Sequence, residues 1–526
     1  MPASRASVVH DTSLHLFRIF FWLFNFFGTT AFAFQQNPDK TLARPNILFI
    51  MSDDHAYQAI GAYPGRLQPL NPTPQIDRIA RAGMRFDRCL VTNSICGPSR
   101  AVLLTGKYSH LNGFMQNNGR DFNGSQQTFP KILQQAGYQT AIIGKWHLGS
   151  KPTGFNHWEI LNDQGEYYNP DFISTAGKHR EKGYVTDLIT EKALGWLRQE
   201  SRTGQPFMLM VHHKAPHREW EPALKYLRTW DKTEFPEPPT LFDDYSGRGI
   251  AAHEQKMTVR DDMKMDADLK LWDKKNADYA RTRGRMDSSQ GAAWDLYYDS
   301  LKKDFKKQQL QGEALLRWKY QHYLHDYLAC IKSVDESVGR LLDYLRETGL
   351  DKNTIVIYTS DQGFYLGEHG WFDKRFMYEE SYRTPLLVQW PGTTAAGSVN
   401  KDLVSNLDLA ETILDATGTK IPSDMQGQSL VPILKGKTPA DWRKEHYYHY
   451  YEYPGVHSVK RHYGIRTERY ILIHFYRDID EWELYDLMKD PLELNNVYND
   501  PAYAKTREVL KTKLTELRKK YKDNSE

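Results

Sequence analysis

The chain has 526 residues, more than one ordinary hydrophobic core serves and enough for a large domain with a smaller companion. Its 69 Lys and Arg nearly balance 66 Asp and Glu, and no basic run stands out, so the charge footprint of a nucleic-acid binder is missing. An aromatic content of 13%, with 32 Tyr and 13 Trp, suits extended grooves for sugars as well as a core.

The first 33 residues read as an export signal: Arg5 and Arg18 precede an apolar run, Ile19 to Phe27, and Ala31-Phe32-Ala33 fits small-x-small cleavage. That run is too short to span a bilayer, so the expectation is a secreted or periplasmic protein without stable membrane insertion. Asn46 to Ile50 is a continuous apolar run, as in a buried strand of a parallel sheet, and it ends in Ser52-Asp53-Asp54-His55. A helix is expected from Thr73-Pro74 to Gly83, and another begins after Cys96. A third is expected from Thr128 to Gly137, and then a strand, Gln139 to Ile143, leads into Gly144-Lys145-Trp146-His147.

Val185 to Leu197 reads as helix, and Phe207 to Val211 as a strand entering His212-His213-Lys214-Ala215-Pro216-His217. From about 221 to 310 charge and Trp dominate without a regular apolar period, which marks an insertion over the sheet. Tyr320 to Leu345 carries apolar residues at helical spacing, and Thr354 to Tyr358 is a second buried-strand run, ending in Asp361-Gln362-Gly363. A strand at Pro385 to Trp390 and a helix at Asp408 to Ala416 follow. After about Gly436 short Tyr-rich strands take over, closed by a helix from Ala504 to Lys519. Alternating strands and helices followed by antiparallel texture give an α/β domain over 34–436, with a smaller α+β subdomain over 437–526.

The chemistry concentrates at a few places. Cys96-Gly97-Pro98-Ser99-Arg100 sits at a helix start, where free N–H groups and the dipole favour an anion. Asp53, Asp54, Asp361 and Gln362 are oxygen ligands at the ends of two strands, the carboxyl edge where open α/β sheets keep their sites. Such a set suits a hard cation, calcium above all. Lys145 and His147, two apart, share a face if the segment is extended. Arg100 offers a fork to a carboxylate or a sulfate oxygen. Among His212, His213 and His217 a general acid needs only one, and the residues alone leave open which.

The full run Cys-x-Pro-Ser-Arg-x-x-x-Leu-Thr-Gly, here Cys96 to Gly106, resembles the signature of the type I sulfatases. The resemblance extends over nearly all of the chain after residue 33, including Glu483-Leu-Tyr-Asp-Leu487 and Asp490-Pro491. It implies an alkaline-phosphatase-like fold: a central mixed, mostly parallel sheet flanked by helices, with the smaller C-terminal domain. It implies that a maturation enzyme oxidises Cys96 to formylglycine, whose hydrate attacks sulfur. One calcium would be held by Asp53, Asp54, Asp361, Gln362 and position 96. Gln362 stands where Asn or His is commoner. Lys145 and Lys374 correspond to sulfate-binding lysines, His147 to the histidine on the hydrate, and His217 to the leaving-group acid. Asp361 is expected to take the nucleophile's proton. The remaining cysteines, Cys89 and Cys330, read as buried thiols.

Within that family, His213-Lys-Ala-Pro-His217 and Gln164-Gly-Glu-Tyr-Tyr-Asn169 look most like enzymes that remove 6-O-sulfate from N-acetylglucosamine in glycosaminoglycan or mucin-type glycans. Two rivals are a phosphatase or phosphonate hydrolase of the same superfamily and a non-catalytic binder of sulfated glycans. The sugar itself must be read outside the sulfate socket. The loop Tyr451 to His457, continuing to Arg461 and His462, is the candidate, with His457 at the pocket mouth.

Overall fold

The computed structural model describes residues 44–117, 121–200 and 203–525, so the export signal expected over 1–33 lies outside the described residues. The first apolar run forms β1 (Asn46–Ser52). Successive side chains of a strand face opposite ways. Leu48 and Ile50 therefore enter one core, and Ile47, Phe49 and Met51 enter the other. A strand covered on both faces needs apolar residues at every position, which is why the run is continuous.

The strands that follow are β2 (Met84–Leu90), β3 (Gln139–Gly144), β4 (His157–Leu161), β5 (Asp171–Ser174), β6 (Gly177–Arg180), β7 (Phe207–His213) and β8 (Thr354–Ser360). Then come the small pair β9 (Tyr365–Leu366) and β10 (Phe372–Asp373), followed by β11 (Arg383–Gln389), β12 (Ser398–Asn400) and β13 (Val404–Ser405). Eleven of these make one sheet in the order β12-β2-β11-β8-β1-β7-β3-β4-β5-β6, with β13 beside β2. Its centre, β8-β1-β7-β3-β4, is parallel. β11 runs antiparallel between β8 and β2, and β5 and β6 close the far edge as antiparallel neighbours. This is the mostly parallel mixed sheet that the resemblance implies. The sequence pattern does not announce β2, whose buried positions are interrupted by Arg85, Asp87 and Arg88, nor β6, which is exposed throughout.

Helices Val185–Glu200 and Gly312–Thr348 cover one face. The second starts earlier than the expected Tyr320, and Leu316 carries its buried stripe N-terminally. Helices Cys96–Thr105, Phe129–Gln135 and Leu409–Ala416 cover the other face. The helix expected from Thr73 begins at Asp77; Thr73 precedes it, its hydroxyl donating to Asp77 Oδ1 (3.0 Å). The stretch 221–310 holds helices Ile250–Glu254, Ala277–Arg285 and Ser288–Gln308 joined by loops.

Four antiparallel strands, β14 (Glu445–Tyr450), β15 (His462–Thr467), β16 (Tyr470–Phe475) and β17 (Glu481–Asp486), form the C-terminal sheet. Their alternation is again decisive. Tyr447, Ile465, Leu472 and Leu484 meet Leu510 and Leu514 of the closing helix, Ala504–Tyr521, while Tyr448, Ile471, Ile473 and Tyr485 join the main core. Cys89 and Cys330 are buried free thiols. No helix among the described residues is long and apolar enough to cross a membrane.

Register positions the site. Ser52 at the end of β1 lies opposite both Ser360 of β8 and His213 of β7, and Gly144 of β3 lies opposite His212. The residues following these four strand ends therefore emerge side by side on one edge.

Candidate active site

Asp53 and Asp54 leave β1, and Asp361 and Gln362 leave β8; all four are buried. Asp54 turns through the left-handed region (φ 60°), which a short polar residue tolerates, and its N–H then donates to Asp361 Oδ1 (3.1 Å). One carboxylate oxygen from each of Asp53, Asp54 and Asp361 lies within 4.8 Å of the others. Asp53 Oδ1 and Gln362 Oε1 are buried without hydrogen-bond partners, while the Gln362 amide nitrogen donates to Asp54.

The helix Cys96–Thr105 aims its start at this cluster. Gly97 is needed there, because a Cβ would come within 2.6 Å of the Phe114 ring and 2.8 Å of Asn117 Oδ1, the atom that accepts the Gly97 N–H. Cys96 Sγ, an Asp53 oxygen and a His217 ring nitrogen lie within 4.8 Å of one another. One turn on, Arg100 Nε (3.2 Å) and Nη2 (2.9 Å) both donate to Asp361 Oδ2, and Nη1 donates to the Lys145 carbonyl (2.8 Å). Ser99 donates to the Asp361 carbonyl and accepts from Asn406 (2.9 Å), which ties the helix to the end of β8.

Two lysines reach in from opposite sides. Lys145 bonds Asp53 and donates to Gln164 Oε1 (2.5 Å); Lys374 donates to both oxygens of Asp54 at 2.7 Å. His147 is not on an extended segment as expected, since its φ is 52°. Gln164 brings it beside Lys145, its amide lying 3.0 Å from His147 Nε2. Of the three neighbouring histidines, His212 packs against Arg100 and the Lys145 carbonyl, and His213 against Ser337 (3.1 Å). His217 faces the cavity, with Nδ1 on the Arg218 carbonyl (2.5 Å) and Nε2 3.9 Å from Asp54 Oδ2.

The environment sets protonation. Burial, with Asp361 and Asp373 close by, pushes Asp54 up to about 6 against the pull of Lys374. For Asp361, burial is outweighed by Arg100, Lys145 and Lys374, which hold it below the ordinary carboxylate range. Burial pushes the Cys96 thiol up to about 12, so as a thiol it is a poor nucleophile at neutral pH. Burial and the adjacent Lys145 and Arg100 keep His147 neutral.

Above this edge opens a cavity of about 630 Å³, lined by Gln164, Tyr167, His217, Arg218 and His457 among others. His457 Nε2 meets Asp373 Oδ2 (3.1 Å), and Asp373 also bonds Arg375. Of the expected loop, only Val456 and His457 reach the cavity. Arg461 pairs with Asp478 (2.8 Å), and His462 is buried in β15, accepting from Met377 N (3.2 Å). Glu452 instead supports Cys96 indirectly, accepting from the N–H of Asn117 (2.8 Å). Sequence reasoning missed Gln164, Asp373 and Arg218 as site residues. Gln164 opens the run Gln164–Asn169 that carried the subclass resemblance, and Asp373 precedes Lys374, so both had a signal; Arg218 had none.

A Cys-led helix start over a carboxylate-and-lysine cluster on the carboxyl edge of a parallel sheet agrees with the family models that match. A model described as Sulfatase matches residues 45–419, and one described as N-sulphoglucosamine sulphohydrolase, C-terminal, matches residues 367–520. The chain belongs to the sulfatase family, and it is an enzyme, a sulfuric ester hydrolase. It is 54% identical over 502 residues, 93% of this chain and 89% of the relative, to the N-acetylglucosamine-6-O-sulfatase of Bacteroides thetaiotaomicron. It is 30% identical to the human N-acetylglucosamine-6-sulfatase over 76% of this chain and 66% of that protein. A solved structure described as in complex with its substrate, D-glucosamine-2-N,6-O-disulfate, superposes with a TM-score of 0.88 at 53% identity, covering 92% of this chain and 99% of that one. A phosphonate monoester hydrolase from Silicibacter pomeroyi shares the fold alone, with a TM-score of 0.66 at 21% identity over 91% of this chain and 96% of its own.

Proposed function

We propose that the chain is an exported carbohydrate sulfatase that removes the 6-O-sulfate of N-acetylglucosamine through a formylglycine at position 96, with one calcium ion. The observation that carries this reading is the convergence of Cys96, His217 and the Asp53–Asp54–Asp361 cluster within a few ångströms. The 54% identity to an N-acetylglucosamine-6-O-sulfatase supports the sugar.

The donor set fits a hard cation: three carboxylates and an amide, with one carboxylate oxygen and the amide oxygen buried and unpartnered. Asp53, Asp54, Asp361, Gln362 and position 96 would hold calcium, which would act as a Lewis acid on the sulfate. Formylglycine, made by a maturation enzyme, would supply a hydrated aldehyde as nucleophile, in place of a thiol that burial keeps protonated.

Arg100, Lys145 and Lys374 grip the sulfate oxygens and spread the charge that develops in the transition state. Asp361, held ionised by Arg100, takes a proton from position 96. His147, neutral, has the ring capacity to take a second. His217 holds its Nδ1 proton on the Arg218 carbonyl and turns Nε2 toward the leaving oxygen. Burial next to Lys145, Lys374 and Lys214 disfavours its charged form; a bound sulfate offsets those ammonium charges and lets Nε2 carry the proton that the sugar oxygen needs. His457, at the mouth, reads the sugar. In this reading residues 34–436 are the catalytic domain, and 437–526 a subdomain lending that histidine.

Sulfated mono- and disaccharides, an aryl sulfate and an aryl phosphate, offered to protein matured in its native host, test the proposal. Release of sulfate from N-acetylglucosamine 6-sulfate, with aryl sulfate preferred over aryl phosphate, is expected. A preference for phosphate, or sulfate release only from other sugars, counts against it. Amino-terminal sequencing of the exported protein, expected to begin after Ala33, tests the leader.

A further inference from the structure

Lys214 follows directly on β7 and is only 5% exposed, yet no hydrogen bond or ion pair engages its ammonium among the described residues. It lines the cavity with His217, with its Nζ 4.8 Å from the centre of the Tyr167 ring. A buried ammonium with three free donors is costly unless something hydrogen-bonds it. Three carboxylates lie within electrostatic reach and oppose the effect of burial: Glu166 most, then Glu221 and Glu219. Two of them are engaged elsewhere, Glu219 by Arg281 and Glu221 by the Thr282 hydroxyl (2.7 Å). Glu166 has no hydrogen-bond partner among the described residues and lines the same cavity.

We infer that Lys214 and Glu166 form a second reading site in the cavity, for the uncharged hydroxyl or acetamido groups of the saccharide. This rests on the sulfatase reading above. One wall presents a charged donor and a charged acceptor that do not satisfy each other. A hydroxyl or an acetamido group both donates and accepts, so it engages the two together. A second sulfate only accepts: it would meet Lys214 but be repelled by Glu166 and Glu219. Nor does the cavity favour anions as a whole. With Arg218 engaged by Asp268, Lys214, Lys256, Lys264 and Arg281 are balanced by Asp163, Glu166, Glu219 and Asp262.

The test compares Lys214→Met and Glu166→Ala on N-acetylglucosamine 6-sulfate, glucosamine 2-N,6-O-disulfate and an aryl sulfate. Each variant is expected to lower kcat/KM on the N-acetylated sugar roughly tenfold, through KM, as for a lost hydrogen bond to a charged group. Loss on the aryl sulfate is expected to be several times smaller. A Lys214→Met loss larger on the disulfated sugar would overturn the inference in favour of an anion subsite. An equal loss on the aryl sulfate would overturn it in favour of a lysine that only tunes His217, and no loss in either variant would overturn it outright. If the unmutated enzyme releases no sulfate from any of the three, the sulfatase reading has failed. Calorimetric titration of N-acetylglucosamine 6-sulfate into the unmutated protein and both variants still decides the inference: weaker binding in both supports it, unchanged binding overturns it.

Discussion

The sheet edge and the cavity mouth are built on opposite plans. At the edge the carboxylates follow strand ends whose register is fixed: Ser52 faces Ser360, so Asp53 and Asp361 emerge beside one another, and Cys96 and Arg100 come from the helix that starts at this cluster. Its charges are buried and mutually paired, Lys145 on Asp53, Lys374 on Asp54 and Arg100 on Asp361. The mouth gathers residues from 162–167, 214–221, 256–264, Arg281 and the C-terminal loop. There Lys214 and Glu166 are left unpaired, while Arg218 is locked onto Asp268 by two hydrogen bonds (2.6 and 2.7 Å). In the proposed reading, backbone register places the chemistry of sulfate, and packed loops read what else the substrate carries. Substitutions at the edge should therefore abolish reaction on every substrate, and substitutions at the mouth should change which substrates react.

The largest effect belongs to position 96. Cys96→Ala should lower kcat on both sugar and aryl sulfate by about a thousandfold or more while the far-UV circular dichroism stays native. Next comes Asp54→Ala, which removes a ligand of the proposed calcium site and strands Lys374 in a buried site. Calorimetry should show calcium binding lost, and denaturation of the metal-free protein a loss of about 3 kcal/mol, the cost of breaking a buried pair. At the mouth, His457→Ala should raise KM for the sulfated sugar by about tenfold and spare the aryl sulfate. Equal losses on both would assign His457 to the edge.

The smallest effect is one of pH. Burial pushes Glu221 up to about 7, so the folded state holds its proton more tightly than the unfolded chain, whose value is near 4.5. Its contribution to stability is full below the unfolded value and is lost as pH rises through about 7. Glu221→Gln should therefore gain Tm relative to the unmutated protein as pH rises from about 5 to 8. A difference that is constant across that range would show that Glu221 keeps its ordinary value.

The edge was legible because each piece of it is a short contiguous signal. The apolar runs before Asp53-Asp54 and Asp361-Gln362 announce buried parallel strands, and adjacency of those strands brings the carboxylates together. Cys96 to Gly106 announces its own helix, with Pro98 in the first turn and Gly106 beyond the end. Lys145 and His147 were found for the wrong geometric reason, since it is Gln164 that joins them. The mouth was less legible because its members lie far apart in sequence and carry no periodicity. The 221–310 insertion shows why: its Lys256, Asp262, Lys264 and Arg281 are ordinary charged residues until the fold turns them to one cavity. In the C-terminal loop the aromatic and imidazole content pointed to a segment of which Val456 and His457 line the cavity. Only His457 of its candidates reaches the cavity, because β15 pulls His462 into the core and Asp478 takes Arg461.

The claim that holds the account together is that position 96 acts as an aldehyde held over the carboxylate cluster. Peptide mass analysis of residue 96, on enzyme from its native host that is turning over N-acetylglucosamine 6-sulfate, tests it most directly. The account predicts formylglycine in the active fraction, and turnover that rises and falls with its share of the protein. Full turnover by protein whose residue 96 is entirely unmodified cysteine would contradict it.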